Sequence, residues 1–450
     1  MPLIPFLTTW ALGWLAYRAV QRQQASLSPV GIATAWVLGA GVVHAIYYVH
    51  VLFLLRNPHP LVLILPGLIG LVDAVRVARA GRWRGWQPFR AAPRASMLLA
   101  ACIVVMTLLT TINGFYLDTL RIWLARAQAL DQLPDYRHAM ENIFWLFHPE
   151  YPPLWSHQYQ WQMQFGDSML ALKLPSLGYY VTLLAAAVAL LARSTRNPIL
   201  WTVIVALPGL FVWVWPTGTA DMPLSASVTL GVCWLFIYRE SRAARDLWCA
   251  ALAIGLLTLI KNEGILLVVC LLVPLALDAL RPARRGLALR SLLAVAGVSA
   301  ICALSWLLLV WSVAPGISDF SLGAFSTDQL QTALSVGLPV LLDPLTAAAW
   351  PLMIVLLALG FWREPLLWLP ALLYALGMLF SYAFSVYPPG IMHHIVQSYH
   401  RLLAQMLPLA LIYIIGALTS GQSVYPYFRR YDTQAQPSER VSAGEPHLYH

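Results

Sequence analysis

Charge is what this sequence has least of. Asp, Glu, Lys and Arg make up only 10% of the 450 residues, where a soluble domain carries about a quarter. That excludes an ordinary water-soluble fold. Alternation of apolar and polar residues is missing as well. The apolar runs are continuous, which excludes a β-barrel, whose strands expose every second side chain to the lumen. The N-terminal "MPLIPF" has no basic n-region, so no cleavable signal peptide is predicted. Cysteine is sparse, and Cys102, Cys233, Cys249, Cys270 and Cys302 all lie inside apolar runs. They read as small hydrophobes, not as a disulfide framework or a metal site.

What is present is hydrophobic: 60% of the chain, with many runs that approach or exceed the ~20 residues a helix needs to cross a bilayer. The expected fold is all-α, a polytopic integral membrane protein with about 13 transmembrane helices. The predicted spans lie near 2–17, 31–55, 60–77, 96–117, 169–192, 199–216, 223–238, 247–260, 264–280, 291–313, 335–360, 365–386 and 402–418. A polar tail over 419–450 reads as disordered and is too short for a soluble domain.

The net charge of +9 does not point to nucleic acid, because the position of the basic residues in the loops accounts for it. Arg18 and Arg22 follow the first span; Arg76, Arg79, Arg82, Arg84, Arg90 and Arg94 the third; Arg193 and Arg196 the fifth. Arg239, Arg242 and Arg245 follow the seventh, Arg281, Arg284, Arg285 and Arg290 the ninth, Arg363 the eleventh, and Arg429, Arg430 and Arg440 the last. Thus 21 of the 28 Lys and Arg fall in alternate loops. Basic loops stay cytoplasmic, so the expected topology has the N-terminus outside and the tail inside.

That rule interprets "LAIGLLTLIKNEGILLVVCLLVPLAL" at 252–277. A single helix over 247–280 would be about 51 Å long at 1.5 Å per residue, and would put arginine clusters on opposite sides. A hairpin turning at Lys261–Gly264 keeps both clusters inside. Its arms are short for a ~30 Å core, so the turn is expected below the outer membrane surface, in a protein-lined cavity.

Other polar groups gather on the same expected outer side. The loop 118–168 opens with "LDTLRIWLARAQAL", an apolar stripe at helical spacing with Arg121, Arg126 and Gln128 between, as in a helix lying in the membrane interface. Asp118 is open to two readings: a helix N-cap, or a carboxylate base at the membrane surface. "HPEYPPLWSHQYQWQ" at 148–162 begins with prolines that forbid a regular helix. Tyr151, Trp155, Tyr159 and Trp161 fit an aromatic belt, but His148 and Glu150 are polar groups such a belt does not require. Asp221, before Pro223 and a face of Ser225, Ser227 and Gly231, is either a cap with a small-residue packing face or a second cavity carboxylate. In "YPPGIMHHIVQSYHRLLAQMLP", Arg401 departs from the positive-inside pattern. It either snorkels to the interface or binds a phosphate. The adjacent His393 and His394 cannot readily chelate one ion from one helix, and no metal or cofactor is assigned. Asp343 precedes Pro344 and reads as a helix break or an outer-face carboxylate. No pair of spans carries matched charges at the bilayer midplane, as a transporter's internal repeats would.

Taken together, "LDTLRIWLARAQAL", "HPEYPPLW", "KNEG" and "HHIVQSYHRLLAQMLP", in this order and on one side, resemble the GT-C superfamily of polytopic glycosyltransferases that use polyprenyl-phosphate sugars. The resemblance is closer to the branch around glycosyltransferase family 39, the protein O-mannosyltransferases and lipid A aminoarabinose transferases, and covers about 96–418. It implies that Asp118 is the general base in an inverting transfer to a glycan, lipid or protein acceptor. Arg401, Lys261 and, secondarily, His394 would bind the donor phosphate, and Tyr151 and the prolines would shape the cavity wall. With them, Glu263, Asp221, His148 and Arg126 complete the expected donor- and substrate-binding set. Relatives often carry an adjacent acidic pair in the first loop; here Asp118 stands alone, with Asp131 and Glu141 further on. Residues 1–95 form an expected N-terminal extension of three spans. The expected setting is a bacterial-type inner membrane. A transporter or flippase of lipid-linked intermediates, and a non-catalytic membrane scaffold, are the competing readings.

Overall fold

A computed structural model describes residues 3–112, 118–137, 148, 150–166, 169–211, 219–313, 321–343, 349–386 and 390–419. Among these the chain is helical throughout. The helices are α1 (Leu3–Gln21), α2 (Pro29–Val49), α3 (Pro60–Arg79), α4 (Gln87–Ala91), α5 (Pro93–Ile112), α6 (Ala125–Gln132), α7 (Leu154–Met163), α8 (Met169–Leu191) and α9 (Pro198–Phe211). They continue with α10 (Asp221–Ser241), α11 (Ala244–Gly255), α12 (Leu257–Ile260), α13 (Glu263–Ala279), α14 (Arg285–Val313), α15 (Thr327–Leu342), α16 (Ala349–Ala358), α17 (Pro365–Ser381) and α18 (Ile391–Thr419).

Local chemistry sets several of these boundaries. Ser28 Oγ accepts the Gly31 N–H and Pro29 opens α2; Ser326 does the same for Gln329 at the start of α15. Gly390, at φ +93°, turns the chain into α18.

Eight helices are long and apolar enough to cross a membrane among the described residues. The protein is therefore a multi-pass helical membrane protein, and its lipid-facing and central helices separate cleanly. In the apolar window of α10, 94% of the residues are buried inside the protein, but only 22% in α5 and in α14. So α10 is the centre, packed by α8, α11 and α18, while α5 and α14 face lipid.

Three expected elements come out differently. The span placed at 335–360 is two helices: α15 ends at Leu342, Asp343 is extended, and α16 resumes at Ala349. Pro344 disfavours helical backbone at the residue before it. The last helix begins at Ile391 and not near 402, so His393, His394 and Arg401 ride on it. The aromatic belt at 151–161 is not a belt: Trp155, Tyr159 and Trp161 are fully buried in α7, which packs on α2, α6 and α8. Expected features at Glu141, Pro149, Pro344, 215–218, 387–389 and 420–450 lie outside the described residues.

The N-terminal helices are joined to the rest by specific contacts. Gly13 of α1 and Gly39 of α2 let the two backbones meet, since a Cβ on either would fall inside a carbonyl of the other helix. Trp234 Nε1 of α10 donates to Thr34 Oγ1 at 2.8 Å, and Gln21 Nε2 donates to the buried Asp246 at 2.8 Å.

Candidate functional site

The KNEG stretch is a turn. Helix α12 stops at Ile260, Lys261 is extended (φ −161°, ψ 154°), and α13 starts at Glu263. Gly264 is required because its Cα lies against the Leu257 carbonyl, where a side chain has no room. Both arms, α11 and α13, pack on α14. The turn is a protein-lined one: Lys261 is buried.

Its ammonium is held by two carboxylates. Lys261 Nζ lies 2.7 Å from Glu263 Oε1 and 3.6 Å from Asp221 Oδ1. Asp221, in the first turn of α10, spends its other oxygen on a second cation: Arg401 Nε is 3.3 Å from Oδ2. The same guanidinium donates through Nη1 to Asp118 Oδ2. One connected ion network thus runs Asp118–Arg401–Asp221–Lys261–Glu263. It joins residues up to 283 positions apart, from the start of the 118–137 segment, α10, the KNEG turn and α18.

Burial ranks the members of this network. The Asp221 side chain is 2% exposed, that of Glu263 14% and that of Asp118 30%. Asp118 is the most exposed acid of the network. It makes no cap hydrogen bond to its own helix, a π-helical turn at Thr119–Leu124 that runs into α6, so the N-cap reading does not describe it. Asp221, assigned from sequence to the substrate-binding set, is enclosed beneath the two cations. Its remaining partners are Thr219 and Gln405, whose Nε2 donates to Oδ1 at 2.6 Å. Tyr374 Oη in turn donates to Gln405 Oε1 at 2.7 Å. Sequence reasoning missed Gln405 and Tyr374. The amide had a signal, because it sits one turn after Arg401 on the same face; the lone phenol of Tyr374 had none.

The wall beside Lys261 is aromatic. Its Nζ stands over the Tyr151 ring, 5.6 Å from the centroid. His148 stacks on Tyr151 at 4.5 Å with planes 9° apart, and Trp123 stacks at 5.6 Å. His148 Nδ1 also meets Glu150 Oε1 at 3.2 Å. The turn carrying these groups is clamped by Arg126, which donates to the Tyr151 carbonyl and, at 2.7 Å, to that of His148. Burial brings the Arg126 guanidinium down to about 10, with Glu150 and Tyr136 opposing, so it stays charged at neutral pH. Trp306 Nε1 ties the same turn to α14 through the Glu150 carbonyl at 2.7 Å. Arg126 is therefore a buried clamp and not the interfacial cation its sequence position implied. His394 lies at the edge, its Nδ1 2.9 Å from Ser385 Oγ and its ring edge-on to Tyr382.

The structure thus brings Asp118, Asp221, Lys261, Glu263 and Arg401 into one network. His148, Tyr151 and Arg126 flank it. Three carboxylates face two cations, so the network carries a net negative charge, and every cation in it already has two carboxylate neighbours. No family model, no curated protein and no solved structure matches this chain.

Proposed function

We propose that this protein is an inverting glycosyltransferase that takes its sugar from a polyprenyl-phosphate donor. The observation that carries the reading is the Asp118–Arg401–Asp221–Lys261–Glu263 network. It puts one partly exposed carboxylate beside two preorganised cations, inside a helical membrane bundle. A lipid-linked donor keeps its chain in the bilayer, and so needs chemistry at membrane level. The resemblance to the GT-C superfamily supports the same reading, together with its 13-span arrangement, an inner-membrane location and a site on the outer face.

In the reaction, an acceptor hydroxyl or amine gives its proton to the Asp118 carboxylate and attacks the anomeric carbon. The bond from that carbon to the phosphate oxygen breaks, and its electron pair leaves with the polyprenyl phosphate. Lys261 and Arg401 hold the charge that develops on the phosphate. While Arg401 donates to Oδ2 of Asp118, that oxygen is a poorer acceptor for the proton. The donor phosphate competes for the same guanidinium, and Asp221 retains Arg401 through Nε during the exchange. Donor binding thereby releases the base. A positioned base contributes roughly 10²–10⁴-fold to such a step.

The test is purified protein in lipid nanodiscs with polyprenyl-phosphate sugars and candidate acceptors. Asp118→Asn is expected to fold and to lose transfer by at least about 100-fold. Transfer at the wild-type rate overturns the assignment. Reporter fusions at 130 and 262 are expected on the outer side, and a cytoplasmic signal at either position reverses the topology.

A further inference from the structure

Asp73 is out of place by composition. It interrupts the apolar α3, in "PLVLILPGLIGLVDAVRVAR", on a helix that mostly faces lipid. A carboxylate there is costly unless something holds it. Two groups of α1 do: Trp14 Nε1 donates to Asp73 Oδ2 at 2.9 Å, and Arg18 Nε donates to the same oxygen at 3.0 Å. Arg18 Nη1 also donates to the Arg22 carbonyl at 2.6 Å. The guanidinium of Arg18 is thus fixed at the surface, about a quarter exposed.

Helices α1 and α3 pack directly on one another. They touch where α3 has glycine. A Cβ on Gly67 would lie 2.8 Å from Thr8 Cγ2, and one on Gly70 would fall inside the Ala11 carbonyl. Beside the Arg18–Asp73 pair the two helices leave an open gap at the surface. The gap is an open cavity of about 510 Å³, within the ~300–1,000 Å³ of small-molecule sites. Its walls are Leu15, Leu68, Ile69 and Val72, and its polar end is Arg18, Asp73 and Arg76.

The ion pair accounts for Asp73 and Arg18 but not for Arg76. Arg76 lines the same cavity, is exposed, and its side chain makes no salt bridge or hydrogen bond with the described residues. One carboxylate against two guanidiniums leaves the polar end with a net positive charge. Apolar walls that open sideways to lipid and end in a cationic rim match one class of molecule in charge and shape: a lipid with a single phosphodiester.

We propose that the groove between α1 and α3 binds an anionic glycerophospholipid of the bilayer, its phosphate at Arg18 and Arg76 and an acyl chain along Leu68, Ile69 and Val72. Asp73 and Trp14 act as positioning residues that hold Arg18 at the rim. A zwitterionic lipid fits the walls equally well but brings its own cation to the rim, so the headgroup discriminates. One net positive charge near the membrane surface amounts to about fivefold in affinity.

The experiment is native mass spectrometry of the full chain, given equal amounts of phosphatidylglycerol and phosphatidylcholine. The wild type is expected to retain the anionic lipid about fivefold over the zwitterionic one. The Arg18→Gln/Arg76→Gln variant is expected to lose that preference, and Arg84→Gln/Arg90→Gln, altered outside the groove, to keep it. Absence of preference in the wild type, or its persistence in the groove variant, overturns the proposal. If the double variant does not fold, Arg76→Gln alone decides, since it breaks no internal bond, and an unchanged preference there is fatal. Inorganic phosphate in excess is expected not to displace the lipid. Displacement would mark a site for free anions and overturn the lipid assignment.

Discussion

Replacing Asp221 by asparagine removes the one charge that touches both cations of the site while keeping the side chain's shape. Lys261 Nζ stands 3.6 Å from this carboxylate and Arg401 Nε 3.3 Å. At an effective dielectric constant of ~20, each attraction amounts to roughly 4–5 kcal/mol. Burying a carboxylate that is 1% exposed costs several kcal/mol and offsets much of this gain. The Gln405 amide adds a charge-assisted bond of about 1.5–3 kcal/mol. After the change Lys261 still has Glu263 and Arg401 still has Asp118, so neither cation is stranded. The expected loss is therefore about 3 kcal/mol, at the lower end of the range for breaking a buried pair. In a chain of this size that is a fall of about 3 °C in the unfolding midpoint, read by tryptophan fluorescence in detergent. Asp328→Asn, at an exposed position in the first turn of α15, is the control and should shift stability by less than ~0.5 kcal/mol. Combined with Lys261→Met, the Asp221 change should show a coupling of at least about 1 kcal/mol. Two single effects that simply add, or an unshifted midpoint for Asp221→Asn, would refute the reasoning that Asp221 organises the cations.

Other consequences are open to direct measurement. Asp118→Asn should bind polyprenyl phosphate more tightly than the wild type, and Arg401→Gln more weakly. Equal affinities in titration calorimetry would show that Asp118 and the phosphate do not compete for Arg401. Arg126→Lys should destabilise the protein by about 2–3 kcal/mol, because an ammonium cannot span the two carbonyls that the planar fork reaches; thermal unfolding at the wild-type temperature would sink this. Gly13→Leu should prevent α1 from seating on α2 and lower the yield of folded protein. Gly297→Ala, with no atom near its added Cβ, should be neutral or stabilising by up to about 1 kcal/mol. His157 is buried, and burial, with His44 and Arg126 adding, lowers its pKa well below the ordinary imidazole value. Above about pH 6.5 it is neutral folded and unfolded, and contributes no slope. Below that the unfolded chain takes up a proton the fold refuses, so stability falls by up to about 1.4 kcal/mol per pH unit until the folded pKa is reached. His157→Gln should flatten the stability–pH curve by about one proton's worth, and an unchanged slope would exclude this role.

The site was legible in unequal parts. The turn at KNEG was readable because two charges and a glycine interrupt an apolar run, and arginine clusters on both flanks favoured a fold-back over one long helix. Asp118, Asp221, Lys261, Glu263 and Arg401 could be picked out because charge is so rare here that each instance asks for a reason. Their roles were not readable. Asp221 and Asp118 look alike in sequence, yet the first is enclosed by Lys261, Arg401 and Gln405 while the second is the most exposed acid of the network. Arg126 read as an interfacial cation and became a clamp for the 148–151 turn. Trp155, Tyr159 and Trp161 read as a belt, because an aromatic residue suits a headgroup layer and a protein core equally well.

Composition and the spacing of apolar runs by themselves determined that this chain is a helical, multi-pass membrane protein. That follows because a backbone without water must satisfy its own hydrogen bonds, and a continuous apolar run does so as a helix. Tertiary structure alone decided which charges meet. Helix periodicity fixes the face a residue occupies on its own helix, but the partner of Arg401 lies 283 positions away and depends on how α10, α18 and the KNEG turn are packed. The same packing places Arg18 beside Asp73 and leaves an open gap between α1 and α3 next to Arg76. Pairing across such distances is a property of the assembled bundle, and no single stretch of the chain encodes it.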